Sequence, residues 1–169
     1  MAGPVKGAGR ITRLALLTAI ALTIFLAEAQ LPALTAVPGV KLGLANIVTV
    51  YAMFALGPGD ALLVLSGRVF LGAVFSGQMM TLIYSAAGGF LSWCVLCLLR
   101  RLLTGEQIWL ASPVAAVFHN LGQLLAAAAV LRSWAVMAWL PYLIIAAILA
   151  GLFTGVAAQA LLRRLSGLS

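Results

Sequence analysis

Residues 137–162 read MAWLPYLIIAAILAGLFTGVAAQALL, a run of 26 residues without a charged side chain. As a helix it would reach roughly 39 Å, more than the ~30 Å hydrocarbon core of a bilayer. Arg132 precedes it, and Arg163 and Arg164 follow at once. Charge therefore brackets the run and does not interrupt it. The run is read as a transmembrane helix, and the flanking sequence is assigned outward from it.

The whole chain agrees with that reading. Of 169 residues, 64% are hydrophobic and 8% charged, with a mean hydropathy of +1.19. A soluble domain is about 25% charged, so lipid must take the excess apolar surface. The net charge is +7. Its basic residues sit in small clusters at the ends of apolar runs, not in a stripe with interleaved aromatics, which argues for topology setting and against nucleic-acid binding.

Walking back along the chain gives six spans in one domain, residues 13–162. Span one covers 13–31 and stops at Pro32. It carries Glu28, and further apolar segments follow it, so it is read as a span and not as a cleavable signal. An irregular segment, 32–41, turns at Pro38-Gly39. Span two, 42–56, is short. Gly57-Pro58-Gly59-Asp60 is a tight turn with Asp60 as an N-cap for the next helix. Span three covers 61–75, Ser76-Gly77-Gln78 breaks it, and spans two and three could instead form a re-entrant hairpin. Spans four to six cover 79–99, 110–131 and 137–162. The expected fold is an all-α integral membrane bundle of six transmembrane helices.

Lys/Arg counting sets the orientation. With the N-terminus inside, the inside segments hold Lys6, Arg10, Arg13, Arg100, Arg101, Arg163 and Arg164, and the outside segments hold Lys41 and Arg132. Both tails, 1–12 and 163–169, are expected in the cytoplasm of a bacterial inner-membrane protein. Trp109, Trp134, Trp139 and Tyr142 fall near span ends, where amphipathic rings prefer the headgroup layer.

Polar groups inside a span are costly and are functional candidates by default. Here they are Glu28, Asn46, Arg68, His119, Asn120, Gln123 and Gln159, with Lys41 just outside span two. His119 and Gln123 are four apart and share a helix face. They either hydrogen-bond between helices or line a ligand cavity. Arg68 either pairs with Glu28 or Asp60, snorkels to the surface, or binds an anionic ligand group. Ala15 and Ala19, continued by Thr23 and Ala27, and the pair Gly151 and Gly155 are small residues at four-residue spacing. They suit close helix packing, within the bundle or against a partner.

Other chemistry finds no support. Cys94 and Cys97 form C-x-x-C inside an apolar run with no further ligands, so they read as buried, inert thiols and not as a metal site. No P-loop, zinc motif or Ser/His/Asp set is present. The three acidic residues are far apart, and nothing gathers them to hold magnesium and a diphosphate. No catalytic residue, cofactor or metal is expected.

Four stretches carry a family resemblance: Pro38–Thr49 (PGVKLGLANIVT), Ser66–Gly72 with Ser76-Gly77, Tyr84–Gly89 (YSAAGG), and His119–Gln123 (HNLGQ). Together they resemble the Gx transporter family, also called heptaprenyl diphosphate synthase component I, over residues 14–162. One name implies a non-catalytic membrane partner of a prenyl diphosphate synthase in menaquinone side-chain synthesis. The other implies a transport subunit. The chain is also similar to substrate-binding subunits of energy-coupling factor transporters, which use separate ATPases and dock a shared transmembrane partner through A-x-x-x-A on the first helix. Ala15 to Ala19 fits that pattern. The resemblance then implies capture of a vitamin-like or isoprenoid ligand. Asn46, Arg68, His119 and Gln123 would make contact, with Glu28 and Lys41 behind them.

Overall fold

A computed structural model describes residues 7–30, 43–77, 79–103 and 105–166. Six α-helices dominate them: α1 (Ala8–Glu28), α2 (Asn46–Ala55), α3 (Pro58–Ser76), α4 (Met79–Leu102), α5 (Ile108–Leu131) and α6 (Leu140–Ser166). Two 3-10 turns, Gly105–Gln107 and Trp134–Trp139, lead into α5 and α6. Five of the six helices are long and apolar enough to cross a membrane. The chain is a multi-pass helical membrane protein.

The exception is α2. Ten residues give roughly 15 Å, about half of a hydrocarbon core, so by length α2 is not a complete span. Its partner α3, with 19 residues, is full length. The turn before α3 also differs from expectation. Gly57 is the N-cap and Pro58 opens the helix. Proline's fixed φ suits that first position, so the helix begins three residues earlier than expected. Asp60 then lies in the first turn, where it accepts from Arg10 Nε at 3.0 Å. At the far end of α3, Gly77 closes the helix with φ 65°, a left-handed cap that glycine adopts freely.

The helices alternate in direction. Arg10, early in α1, meets Asp60, early in α3. Late in α4, Trp93 Nε1 donates to Pro58 O at 3.0 Å. Late in α6, Arg163 pairs with Glu106, just ahead of α5. One end of the bundle thus gathers the starts of α1, α3 and α5 and the ends of α4 and α6. It carries Arg10, Arg13, Arg100, Arg101, Arg163 and Arg164.

Small residues set the closest packing. A Cβ at Gly151 would lie 2.4 Å from Pro113 Cα, and one at Gly155 2.9 Å from Trp109 Cα. The G-x-x-x-G of α6 is therefore spent inside the molecule, against α5. Where α4 crosses α5, a Cβ at Gly122 would sit 2.8 Å from Gly88 Cα. Helix α5 is the most enclosed of the long helices, and α1 is the least. Large apolar side chains such as Phe70, Phe90, Ile145 and Phe153 are exposed on the outside, as lipid-facing positions require. Trp109, Trp134, Trp139 and Tyr142 are also exposed, near helix ends.

Candidate ligand-binding site

Helix rise locates a polar centre. Arg68 is eight residues from Asp60, His119 ten from Trp109, and Gly88 twelve from Arg100. All three then lie about 12–18 Å from the basic end, near mid-depth of a ~30 Å core. A short α2 makes this possible, because its first turn opens at the same depth and not at the membrane surface.

The centre is held together by a carboxylate and a glycine. Glu28, at the end of α1, accepts Gly43 N–H at 2.8 Å and Leu44 N–H at 2.9 Å. It thereby anchors the turn that starts α2. Gly43 has φ 80°. A Cβ there would lie 2.9 Å from both Asn46 Nδ2 and His119 Cδ2. Only glycine lets the backbone pass between those two side chains.

Asn46, Arg68 and His119 are thus neighbours. Arg68 Nη2 donates to Asn46 Oδ1 at a long 3.5 Å, and its guanidinium lies 5.9 Å from the Phe25 ring centroid. Gln123 Nε2 lies 2.9 Å from His119 Nε2. With Gln123 donating, the neutral ring carries its proton on Nδ1, beside the Gly88 backbone but without a formed hydrogen bond. The ion pairs within 4 Å among the described residues are Arg10–Asp60 and Arg163–Glu106. Neither Asp60 nor Glu28 forms a contact pair with Arg68, although Glu28 acts on it through its field. Snorkelling is also ruled out, since Arg68 is 2% exposed.

Two further buried polar groups lie on the helices of the centre. Thr49 lies one turn along α2 from Asn46, and Ser92 one turn along α4 from Gly88. Both are buried. Asn46 Nδ2, Thr49 Oγ1, Arg68 Nε, Ser92 Oγ and His119 Nδ1 have no hydrogen-bond partner among the described residues. Buried polar atoms are normally paired, and in an apolar medium each unpaired one costs about 1–3 kcal/mol. Five such atoms lie on α2, α3, α4 and α5, helices that pack against one another here. Asn120 differs: its Nδ2 donates to Leu143 O at 3.1 Å, so it faces α6 and belongs to another seam.

The sequence-derived candidates therefore divide. Glu28, Asn46, Arg68, His119 and Gln123 come together, while Lys41 lies outside the described residues. Thr49, Ser92 and Gly43 were missed. Their signal was helical spacing from Asn46 and Gly88, which is faint because serine and threonine are ordinary in membrane helices. Ala15, Ala19, Thr23 and Ala27 are all exposed along α1. Cys94 and Cys97 are free but half-buried, not buried as expected, and Cys97 packs against the edge of a core cluster. Among the described residues no three His, Cys, Asp or Glu side chains form a metal-ligating group. A separate groove of about 270 Å³ between α3 and α4, lined by Leu62, Leu65, Val69 and Phe70 among others, is almost wholly apolar and opens outward.

The model of the family heptaprenyl diphosphate synthase component I matches residues 17–161, and the chain belongs to that family. Comparison with curated proteins and with solved structures gives no match.

Proposed function

We propose that this chain is a non-catalytic membrane subunit that holds a small ligand in its helix bundle and acts together with partner chains. The observation that carries the proposal is the mid-depth centre of Asn46, Thr49, Arg68, Ser92 and His119, buried and with unpartnered polar atoms. A purely structural bundle gains nothing from the five unpartnered atoms, since each buried polar atom left unsatisfied costs stability. The acidic side chains support no catalytic role in diphosphate chemistry. Asp60 and Glu106 pair with arginines, and Glu28 holds backbone N–H groups.

The family description favours one assembly: a heptaprenyl diphosphate synthase, of which this chain would be the component that does not carry the chemistry. A second reading is favoured by the polar centre and by the exposed small-residue face of α1. In it the chain is the substrate-binding subunit of a vitamin or cofactor-precursor transporter. Ala15 and Ala19 would dock a transmembrane coupling subunit, and separate ATPases would drive it. In either assembly the basic end faces the cytoplasm of a bacterial inner membrane, with tails 1–12 and 163–169 inside, as the Lys/Arg distribution favours.

Native mass spectrometry on the chain, gently extracted from its own membranes, tests both. A co-purified soluble prenyl synthase, together with a changed rate or product length when this chain is added back, supports the synthase assembly. A co-purified ATPase and transmembrane partner supports the transporter instead. Extraction with neither a bound small molecule nor a partner removes the proposal.

A further inference from the structure

The groove between α3 and α4 lies apart from the polar centre. Leu65 and Val69, both buried, line its floor, and Phe70 and Phe90, both exposed, stand at its rim. Ser66 on α3 and Ala86 on α4 are small and exposed, which leaves the space between those rings open. Along α3 the lining runs from Leu62 to Phe70, roughly 12 Å of helix. It starts just inside the basic end of the bundle and reaches mid-depth.

Two arginines stand beyond the basic end of this groove. Arg100 follows Leu82 by about five helical turns, and Arg101 follows Phe90 by about three, so both leave α4 on the side that lines the groove. A Cβ on Gly57, the residue before α3, would lie 3.4 Å from Arg100 Nη1. Leu62 is five residues further on, so this guanidinium sits about 8 Å beyond the groove along the helix axis. The polar layer between hydrocarbon and water is about 5–8 Å deep in each leaflet. A lipid with a chain in the groove therefore brings its phosphate to the level of the two arginines. Between them, Trp93 stacks on Phe90 and donates to Pro58 O, which ties α3 to α4.

These cations are not already spent. Among the described residues neither Arg100 nor Arg101 has an acidic partner within 4 Å, and the acids at this end, Asp60 and Glu106, pair with Arg10 and Arg163. We propose that the groove binds one anionic phospholipid of the surrounding bilayer, with a chain between Phe70 and Phe90 and the phosphate on Arg100 and Arg101. The bilayer is the source because the groove opens on the lipid-facing wall, where membrane lipid is the most concentrated apolar chain. The site shares no residue with the polar centre and does not rest on the ligand-holding reading.

The test is lipid retention by the purified full chain, stripped in mild detergent, re-exposed to phosphatidylglycerol or phosphatidylcholine of the same chains, and read by native mass spectrometry. One phosphatidylglycerol should be retained, at least about tenfold more strongly than phosphatidylcholine, as two basic side chains near an anionic headgroup provide. Arg100→Gln with Arg101→Gln should erase that preference. Ala86→Phe fills the groove at an exposed position, so it should cut retention of both lipids by about tenfold and leave the melting temperature in lipid-free detergent unchanged. Ser66→Phe, on the opposite wall, does the same should Ala86→Phe fail to fold. Equal retention of the two lipids by the native chain overturns the proposal, as does undiminished phosphatidylglycerol on a folded groove-filling variant. Displacement of phosphatidylglycerol by an equal concentration of a polyprenyl diphosphate also overturns it, since the groove would then serve an isoprenoid and not a bilayer lipid.

Discussion

The seam between α5 and α6 and the centre shared by α2, α3, α4 and α5 are both polar and both buried, yet they are built differently. In the seam, polar side chains find partners, Asn120 Oδ1 excepted. Ser112 Oγ lies 2.9 Å from Thr154 Oγ1, which donates to Gly151 O at 3.2 Å. Gln159 spans the helices, donating to Glu106 O at 2.7 Å and accepting from Trp109 N–H at 3.2 Å. Asn120 adds its bond to Leu143 O. In the centre, the side chains come as close, but five atoms are left over. Polarity inside a membrane bundle therefore carries two meanings. Paired groups fasten helices, and unpaired groups, on the proposed function, are held for a ligand.

The largest expected effect belongs to the seam. Gly151→Val would press Cβ onto Pro113 Cα, which is backbone and cannot swing aside. Overpacking of this kind costs ~3 kcal/mol or more. Thermal unfolding in detergent should show a large loss of stability, or no folded protein at all. A variant of unchanged stability would mean that α5 and α6 are not in this close contact.

Next comes the anchor of the centre. Glu28→Gln leaves one oxygen to accept where two now hold Gly43 and Leu44 N–H. Losing a charge-assisted bond to a buried donor costs about 2 kcal/mol. Hydrogen exchange at those two amides should accelerate more than elsewhere in α2, and ligand retention should fall with it. Uniform acceleration along the helix would argue that Glu28 acts globally and not on the turn.

Gly43→Ala is expected to be slightly milder. A left-handed φ costs a side-chain-bearing residue about 1–2 kcal/mol, and the added methyl also meets Asn46 and His119. Ligand binding should drop further than stability does, because the intrusion is into the site itself. Equal losses would put Gly43 among the merely structural glycines.

These regions were not equally legible in the sequence. Length, hydropathy and charge placement located five long helices, since each signal is summed over some twenty residues. The exact start of α3 was not legible, because Pro58 at the first helical position outweighed Asp60 as a cap. That α2 is half a span follows from the position of its first turn, which Glu28 fixes from 15 residues away. No local pattern encodes such a contact. Likewise Asn46, Arg68 and His119 could be picked out singly as costly residues, but their meeting around Gly43 depends on how three helices cross. Asp60 and Glu28 were equally plausible partners for Arg68 by charge alone. The packing gave Asp60 to Arg10 and Glu28 to the backbone.

The smallest expected effect tests the distinction between the regions most directly. Ser112→Ala removes a partnered hydroxyl from the seam and leaves Thr154 with its bond to Gly151 O alone. Interhelical bonds of this kind average about 0.6 kcal/mol in a membrane protein, so a modest destabilisation is expected. Ser92→Ala removes an equally buried hydroxyl that has no partner. Its loss should leave the stability of the ligand-free protein unchanged or slightly raised, since an unsatisfied group disappears. The two substitutions delete the same atom at the same burial, so any difference between them reports on partnering alone. In the presence of ligand their order should widen, with Ser92→Ala losing the stabilisation that ligand confers and Ser112→Ala keeping it. If both destabilise the ligand-free protein alike, Ser92 is a fastener like Ser112, and the two meanings of buried polarity collapse into one.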